Sequence, residues 1–108
     1  MRTTITARHC KVSEALRTRT RAVAARLDKM SPHTLDATVI FDVSPLFHTV
    51  EFRLHARGRK MLKGVGRGAD HRTALDRAED KLRPQLEKAS ARRQRGRRKG
   101  ARPGRRRL

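Results

Sequence analysis

Apolar residues recur along this chain with two periods, one of two residues and one of three to four, and the switches between them predict six elements. Over Arg2–Ala7, Thr3, Ile5 and Ala7 share one side, the pattern of a short strand. Ser13 is a suitable N-cap for the stretch that follows, and Glu14 puts a carboxylate in a first turn where the helix dipole favours it. Leu16, Thr20, Val23, Leu27 and Met30 then form one helical face. Ser31-Pro32 ends that helix, because the residue before a proline is pushed out of the helical region. Leu35–Ser44 alternates, with Leu35, Ala37, Val39, Phe41 and Val43 on one side and Ile40 as an apolar exception on the other. His48–Ala56 alternates too, with Val50, Phe52 and Leu54 inward. The short link Pro45-Leu46-Phe47 makes these two strands an antiparallel hairpin. Arg57-Gly58-Arg59 reads as a turn.

A third consecutive strand is predicted over Lys60–Gly66, with Leu62, Gly64 and Gly66 on the inner side, where missing side chains let a helix come close. Asp70 caps a second helix whose apolar face is Leu75, Ala78, Leu82 and Leu86. Pro84 lies inside that pattern and removes a hydrogen bond to the Asp80 carbonyl, so it is expected to weaken or kink the last turns. The order β-α-β-β-β-α points to an α+β fold, a four-stranded sheet with both helices packed on one face. With 108 residues there is room for one such domain, over residues 1–90.

Charge sharpens this outline. Lys and Arg total 29 against 10 Asp and Glu, a formal net charge of +19, which calls for a polyanionic partner. Residues 91–108, ARRQRGRRKGARPGRRRL, hold 10 basic residues and no acid, and too little apolar matter to repay the entropy of ordering, so this tail is expected to be disordered in isolation. At about 100° per residue, the first helix carries Arg19, Arg26 and Lys29 on one flank of its core face, and Arg17 and Arg21, with Asp28, on the other. The second carries Asp76, Asp80 and Glu87 on one flank, with pairs such as Arg72–Asp76 and Glu79–Arg83 four residues apart, so that flank is expected to neutralise itself. Its other flank, Arg77, Lys81 and Lys88, has no acid. Lys and Arg without interleaved aromatics grip phosphates rather than base edges. The chain has no Trp or Tyr and three Phe, which disfavours a base-stacking single-strand binder. The expected RNA-binding residues are Arg17, Arg19, Arg21, Arg26, Lys29, Arg77, Lys81 and Lys88 on the helices, with Arg92, Arg93, Arg95, Arg97 and Arg98 in the tail.

Ile5-Thr6, Val12-Ser13-Glu14-Ala15-Leu16-Arg17 and Arg26-Leu27 carry a resemblance that continues through His48-Thr49, Leu54-His55 and Gly68-x-Asp70. It is completed by Ala74-Leu75-Asp76-x-x-x-Asp80-Lys81-Leu82-x-x-Gln85-Leu86. In order and spacing the chain resembles the short ribosome hibernation-promoting factors, also called ribosome-associated inhibitors or sigma-54 modulation proteins, over about residues 1–90. The resemblance implies a domain that binds the small ribosomal subunit and its rRNA at the decoding region, overlaps the mRNA and tRNA sites, and inhibits translation under stress or in stationary phase. Arg17, Arg26 and Lys81 stand where the family is similar. The chain departs from the family at His71-Arg72, where an aromatic is common, at Pro84, and in the strength of its basic tail.

Other chemistry finds little support in the sequence. His9, Cys10, His33, His48, His55 and His71 show no metal-ligand spacing, and no metal or cofactor is expected. One cysteine permits no internal disulfide. Lys63-Gly64-Val65-Gly66-Arg67-Gly68 is not a Walker loop, and no nucleophile has a base and an orienting group, so no enzyme activity is expected. No apolar run is long enough to span a bilayer, and the start of the chain lacks a signal-peptide core, which points to the cytoplasm. The partner expected is the ribosome, bound by a chain that is monomeric when free, without a small-molecule substrate. The alternative is a general double-stranded or structured RNA-binding protein or RNA chaperone, since the strand and helix order also suits a double-stranded-RNA-binding variant.

Overall fold

The computed structural model describes the backbone of residues 2–30, 34–56 and 61–101, and side chains over 2–30, 36–55 and 61–88. Its elements are β1 (Arg2–Ala7), α1 (Glu14–Met30), β2 (Thr34–Val43), β3 (His48–Ala56), β4 (Leu62–Gly68) and α2 (His71–Ala101). The α+β order β-α-β-β-β-α is the expected one. The sheet runs β1-β2-β3-β4; β1 lies parallel to β2 and the rest is an antiparallel meander. Parallel pairing needs a crossover, and α1 supplies it.

The two strand periods meet in one core. Ala37, Val39 and Phe41 of β2 and Val50, Phe52 and Leu54 of β3 are buried against Val23, Ala24 and Leu27 of α1 and Leu75, Ala78, Leu82 and Leu86 of α2. Thr20, a polar residue on that face, is fully buried and donates its hydroxyl to the Leu16 carbonyl at 2.8 Å. Ile40, on the opposite face of β2, is nevertheless only 6% exposed.

Both helix starts follow the sequence. Ser13 Oγ accepts from Leu16 N–H at 3.1 Å, and Asp70 Oδ1 accepts from Thr73 N–H at 2.7 Å. β4 differs from its expected limits: it starts at Leu62 and runs on to Gly68, because the pairing with β3 continues to His48↔Gly68. The expected turn at 57–59 and the helix stop at 31–32 lie outside the described residues. α2 passes through Pro84, which is exposed, and its backbone continues to Ala101. For the segment 91–108, side chains and residues 102–108 fall outside the described part.

Gly64 and Gly66 set how closely α2 lies on β4. A Cβ on Gly66 would come 2.0 Å from the Ala74 carbonyl oxygen, and one on Gly64 2.6 Å from that of Ala78. Only bare backbone fits there. The helix therefore sits directly against the edge strand.

Candidate nucleic-acid interface

The seam between the helices is built from charge. Arg19 donates to both carboxylate oxygens of Asp76, at 2.9 and 3.1 Å from Nη2. Arg26 forks onto Glu79, with Nε to Oε2 and Nη2 to Oε1 both at 3.1 Å. Arg83 adds a third bond to Glu79 Oε2 at 3.0 Å. Glu79 is only 5% exposed. Burial pushes its carboxyl upward, but the guanidiniums of Arg26 and Arg83 outweigh this and hold it below the usual carboxylate range. The same hydrogen bond and charge push the Arg26 guanidinium further up.

This corrects the expected charge pairing of α2. Glu79–Arg83 forms as anticipated, but Asp76 pairs with Arg19 of α1, 57 residues away, and not with Arg72. The reason is packing: α1 lies along that flank and offers its guanidiniums at close range. Arg19 and Arg26 thus stand at the seam, each facing a carboxylate. On the far flank of α1, Arg17 is partly exposed and has Glu14 4.0 Å away, a weak contact. Arg21 and Lys29 are exposed, with no ion pair among the described residues.

The other flank of α2 is different. Arg77, Lys81 and Lys88 are exposed along the β4 edge of the sheet, with no ion pair among the described residues. An open cleft of about 410 Å³ lies there, lined by Gly66, Arg67, Arg77, Asp80 and Lys81. Arg77 Nη1 donates to the Arg67 carbonyl oxygen at 2.6 Å, which fixes the guanidinium at the cleft without neutralising it. Gln85 Nε2 donates to the Lys63 carbonyl oxygen at 2.9 Å, one step further along β4. Arg67 lines the cleft and is exposed, whereas Lys63 meets α2 only through its carbonyl, its side chain being out of phase with Gly64 and Gly66 and so on the sheet face turned away from the helix. Arg67 escapes sequence reading, since only the sheet order shows that β4 is the edge under α2. Arg92, Arg93, Arg95, Arg97 and Arg98 lie on the continuing backbone of α2, with side chains outside the described part.

The histidines are engaged elsewhere. His9, with φ at 58°, lies 3.1 Å through Nδ1 from Asp42 Oδ1. That contact and the Val43 N–H hold the Asp42 carboxyl below its ordinary range. His71 Nε2 lies 2.8 Å from the Asp42 carbonyl oxygen, and its ring packs edge-to-face on Phe41 and on His48. Cys10 is half-buried and donates to the Phe41 carbonyl; burial pushes its thiol up. Among the described residues, no three of His, Cys, Asp and Glu come together as metal ligands, and no helix is long and apolar enough to cross a membrane.

A mixed four-stranded sheet, two helices packed on it, and a cleft along one edge where cations outnumber carboxylates define the α+β domain. The chain belongs to the sigma 54 modulation protein / S30EA ribosomal protein family, whose profile matches residues 3–94. This is the family of the hibernation-promoting factors that the sequence resembles. Among solved structures, the chain is similar to a ribosomal subunit interface protein from Coxiella burnetii, with 23% identity and a TM-score of 0.78, over 84% of this chain and 99% of that one. It is also similar to the N-terminal domain of Protein Y from Thermus thermophilus, with 25% identity and a TM-score of 0.73, over 82% and 98%. No curated protein sequence matches the chain.

Proposed function

We propose that this protein binds the ribosome in the cytoplasm and represses translation without catalysis, by occupying rRNA surface of the small subunit at the decoding region, where mRNA and tRNA must sit. The observation that carries the reading is the cleft where Arg67, Arg77 and Lys81 outnumber one carboxylate, Asp80, which the helical projection places on the opposite flank, with Lys88 exposed further along α2, in a chain whose seam-facing arginines are tied up in ion pairs. A surface of this kind grips phosphates and reads shape and charge. The similarity to a ribosomal subunit interface protein points to which RNA it meets. Arg17, Arg21 and Lys29 on the exposed part of α1 add a second cationic surface. The basic segment 91–108 is a further anchor, tethered to the domain and so bound at high effective concentration once the domain has docked. Free of the ribosome, the protein is a monomer held apart by its own charge.

Lys81→Glu with Lys88→Glu tests this, because both side chains are exposed. The double variant should fold like the parent, lose inhibition in a cell-free translation assay, and bind purified small subunits with a salt slope flatter by about 1.5. A folded double variant that inhibits like the parent would remove the reading. A general binder of structured RNA would hold free duplex RNA as tightly as ribosomes at equal salt; the proposed factor prefers the assembled particle.

A further inference from the structure

Next to the cationic cleft, the β2–β3 connection presents an apolar tip. Leu46 is 85% exposed, against 41% for Met61, the other exposed large hydrophobic among the described residues. A lone exposed leucine is ordinary on a protein surface. Two further observations set this one apart.

The first is that the tip is held. Ser44 N–H donates to the Phe47 carbonyl oxygen at 2.9 Å, closing the turn. The Ser44 hydroxyl oxygen accepts from Phe47 N–H at 3.2 Å and, more weakly, from Leu46 N–H at 3.4 Å, and donates to the Phe47 carbonyl at 3.1 Å. Pro45 fixes its own φ. Leu46 is thus offered on a closed turn, and a contact made from a rigid support forfeits little entropy.

The second is its place. The Phe47 ring lies under the Arg67 guanidinium, whose central carbon is 5.3 Å from the ring centroid. Arg67 also lines the cleft with Arg77 and Lys81, and its carbonyl holds Arg77. One residue therefore joins the apolar tip to the phosphate-gripping site. A nucleic-acid backbone lying in the cleft would bring its own bases within reach of the tip. Leucine and proline at a rigid apex are the side chains that proteins press against or between bases, and RNA offers unstacked bases in its loops and bulges.

We infer that Pro45 and Leu46 form an apolar wedge that contacts an unstacked base of the same RNA whose phosphates occupy the Arg67–Arg77–Lys81 cleft. The inference rests on the ribosome-binding reading and adds a contact to it that is not ionic. It gives an electrostatic binder a means of preferring one RNA shape over another.

The experiment measures binding of the full chain to purified small ribosomal subunits over a range of salt. Leu46→Ala should retain the parent's melting temperature, since the side chain is in solvent, and should weaken binding roughly tenfold with an unchanged salt slope. In parallel, a photo-reactive benzoylphenylalanine in place of Leu46 should cross-link to rRNA. Unchanged affinity for Leu46→Ala overturns the inference, as does a cross-link to a ribosomal protein or no cross-link from a bound molecule. If the parent binds and Lys81→Glu with Lys88→Glu weakens it while Leu46→Ala is silent, the wedge alone is refuted. If the parent itself does not bind, the wedge and the ribosome-binding reading fall together.

Discussion

Replacing Glu79 by glutamine keeps the shape of the side chain and removes its charge. Glu79 accepts three hydrogen bonds, two from Arg26 at 3.1 Å and one from Arg83 at 3.0 Å. Glutamine keeps one acceptor oxygen and turns an amide donor towards a guanidinium that can only donate. With the amide oxygen in the place of Oε2, the bond at Oε1 is lost and the two at Oε2 lose the carboxylate charge. Each would count for about 1.5–3 kcal/mol if fully buried. The arginine side chains, however, are 48% and 44% exposed, so water replaces part of what is lost. Relief from burying a charge acts in the same direction. The balance is a loss of about 2 kcal/mol at pH 7, or roughly 10 °C in melting temperature for a domain of this size.

The pH dependence gives a second reading of the same variant. The Glu79 carboxyl is held below its ordinary value in the folded state. Its contribution is present above the unfolded value of about 4.3 and fades as pH falls through the lower folded value. Parent and Glu79→Gln should thus differ at neutral pH and converge in acid. Thermal unfolding followed by circular dichroism from pH 7 down to pH 3 measures both effects. A variant as stable as the parent at pH 7 would refute the reasoning, because the burial cost of the carboxylate would then equal or exceed what the arginines return.

Gly66→Ala drives a methyl group into the backbone of α2 and should cost roughly 3 kcal/mol, read as a lowered denaturant midpoint; no loss would mean α2 does not lie where the glycines place it. Asp70→Ala removes the cap of α2 and should lower the melting temperature at pH 7. Hydrogen bonds from Thr73 hold the Asp70 carboxyl below its usual value, so this difference should close only as pH falls through that lowered value. Deleting residues 91–108, with their 10 basic residues, should flatten the salt slope of ribosome binding by several units. An unchanged slope would mean that the arm makes no ionic contact.

The backbone outline was legible because burial acts on one residue at a time. Alternation in Ala37–Val39–Phe41 and Val50–Phe52–Leu54, and the helical steps of Val23 and Leu27, report directly which face is dry. The ends of β4 were less legible: glycines carry no pattern of their own, and the strand stops where its partner β3 begins at His48. The fate of each charge was not legible at all. Arg19 and Arg77 look alike on a helical projection, yet Arg19 meets Asp76 across the seam while Arg77 meets a strand carbonyl. That difference depends on which flank of each helix the other elements cover, and a projection of one helix holds no record of its neighbours. For the same reason Arg67 joined the candidate site only once the sheet order was known.

The bonds from Arg77 and Gln85 to the carbonyls of Arg67 and Lys63 have an effect on molecules that meet each other. An outside strand approaching β4 finds two of its acceptors already occupied by the molecule's own helix, so the sheet cannot readily be extended on that side. Closing that border with long polar side chains keeps two copies that meet from zipping into a shared sheet, and one of the two side chains that close it, Arg77, also lines the cleft.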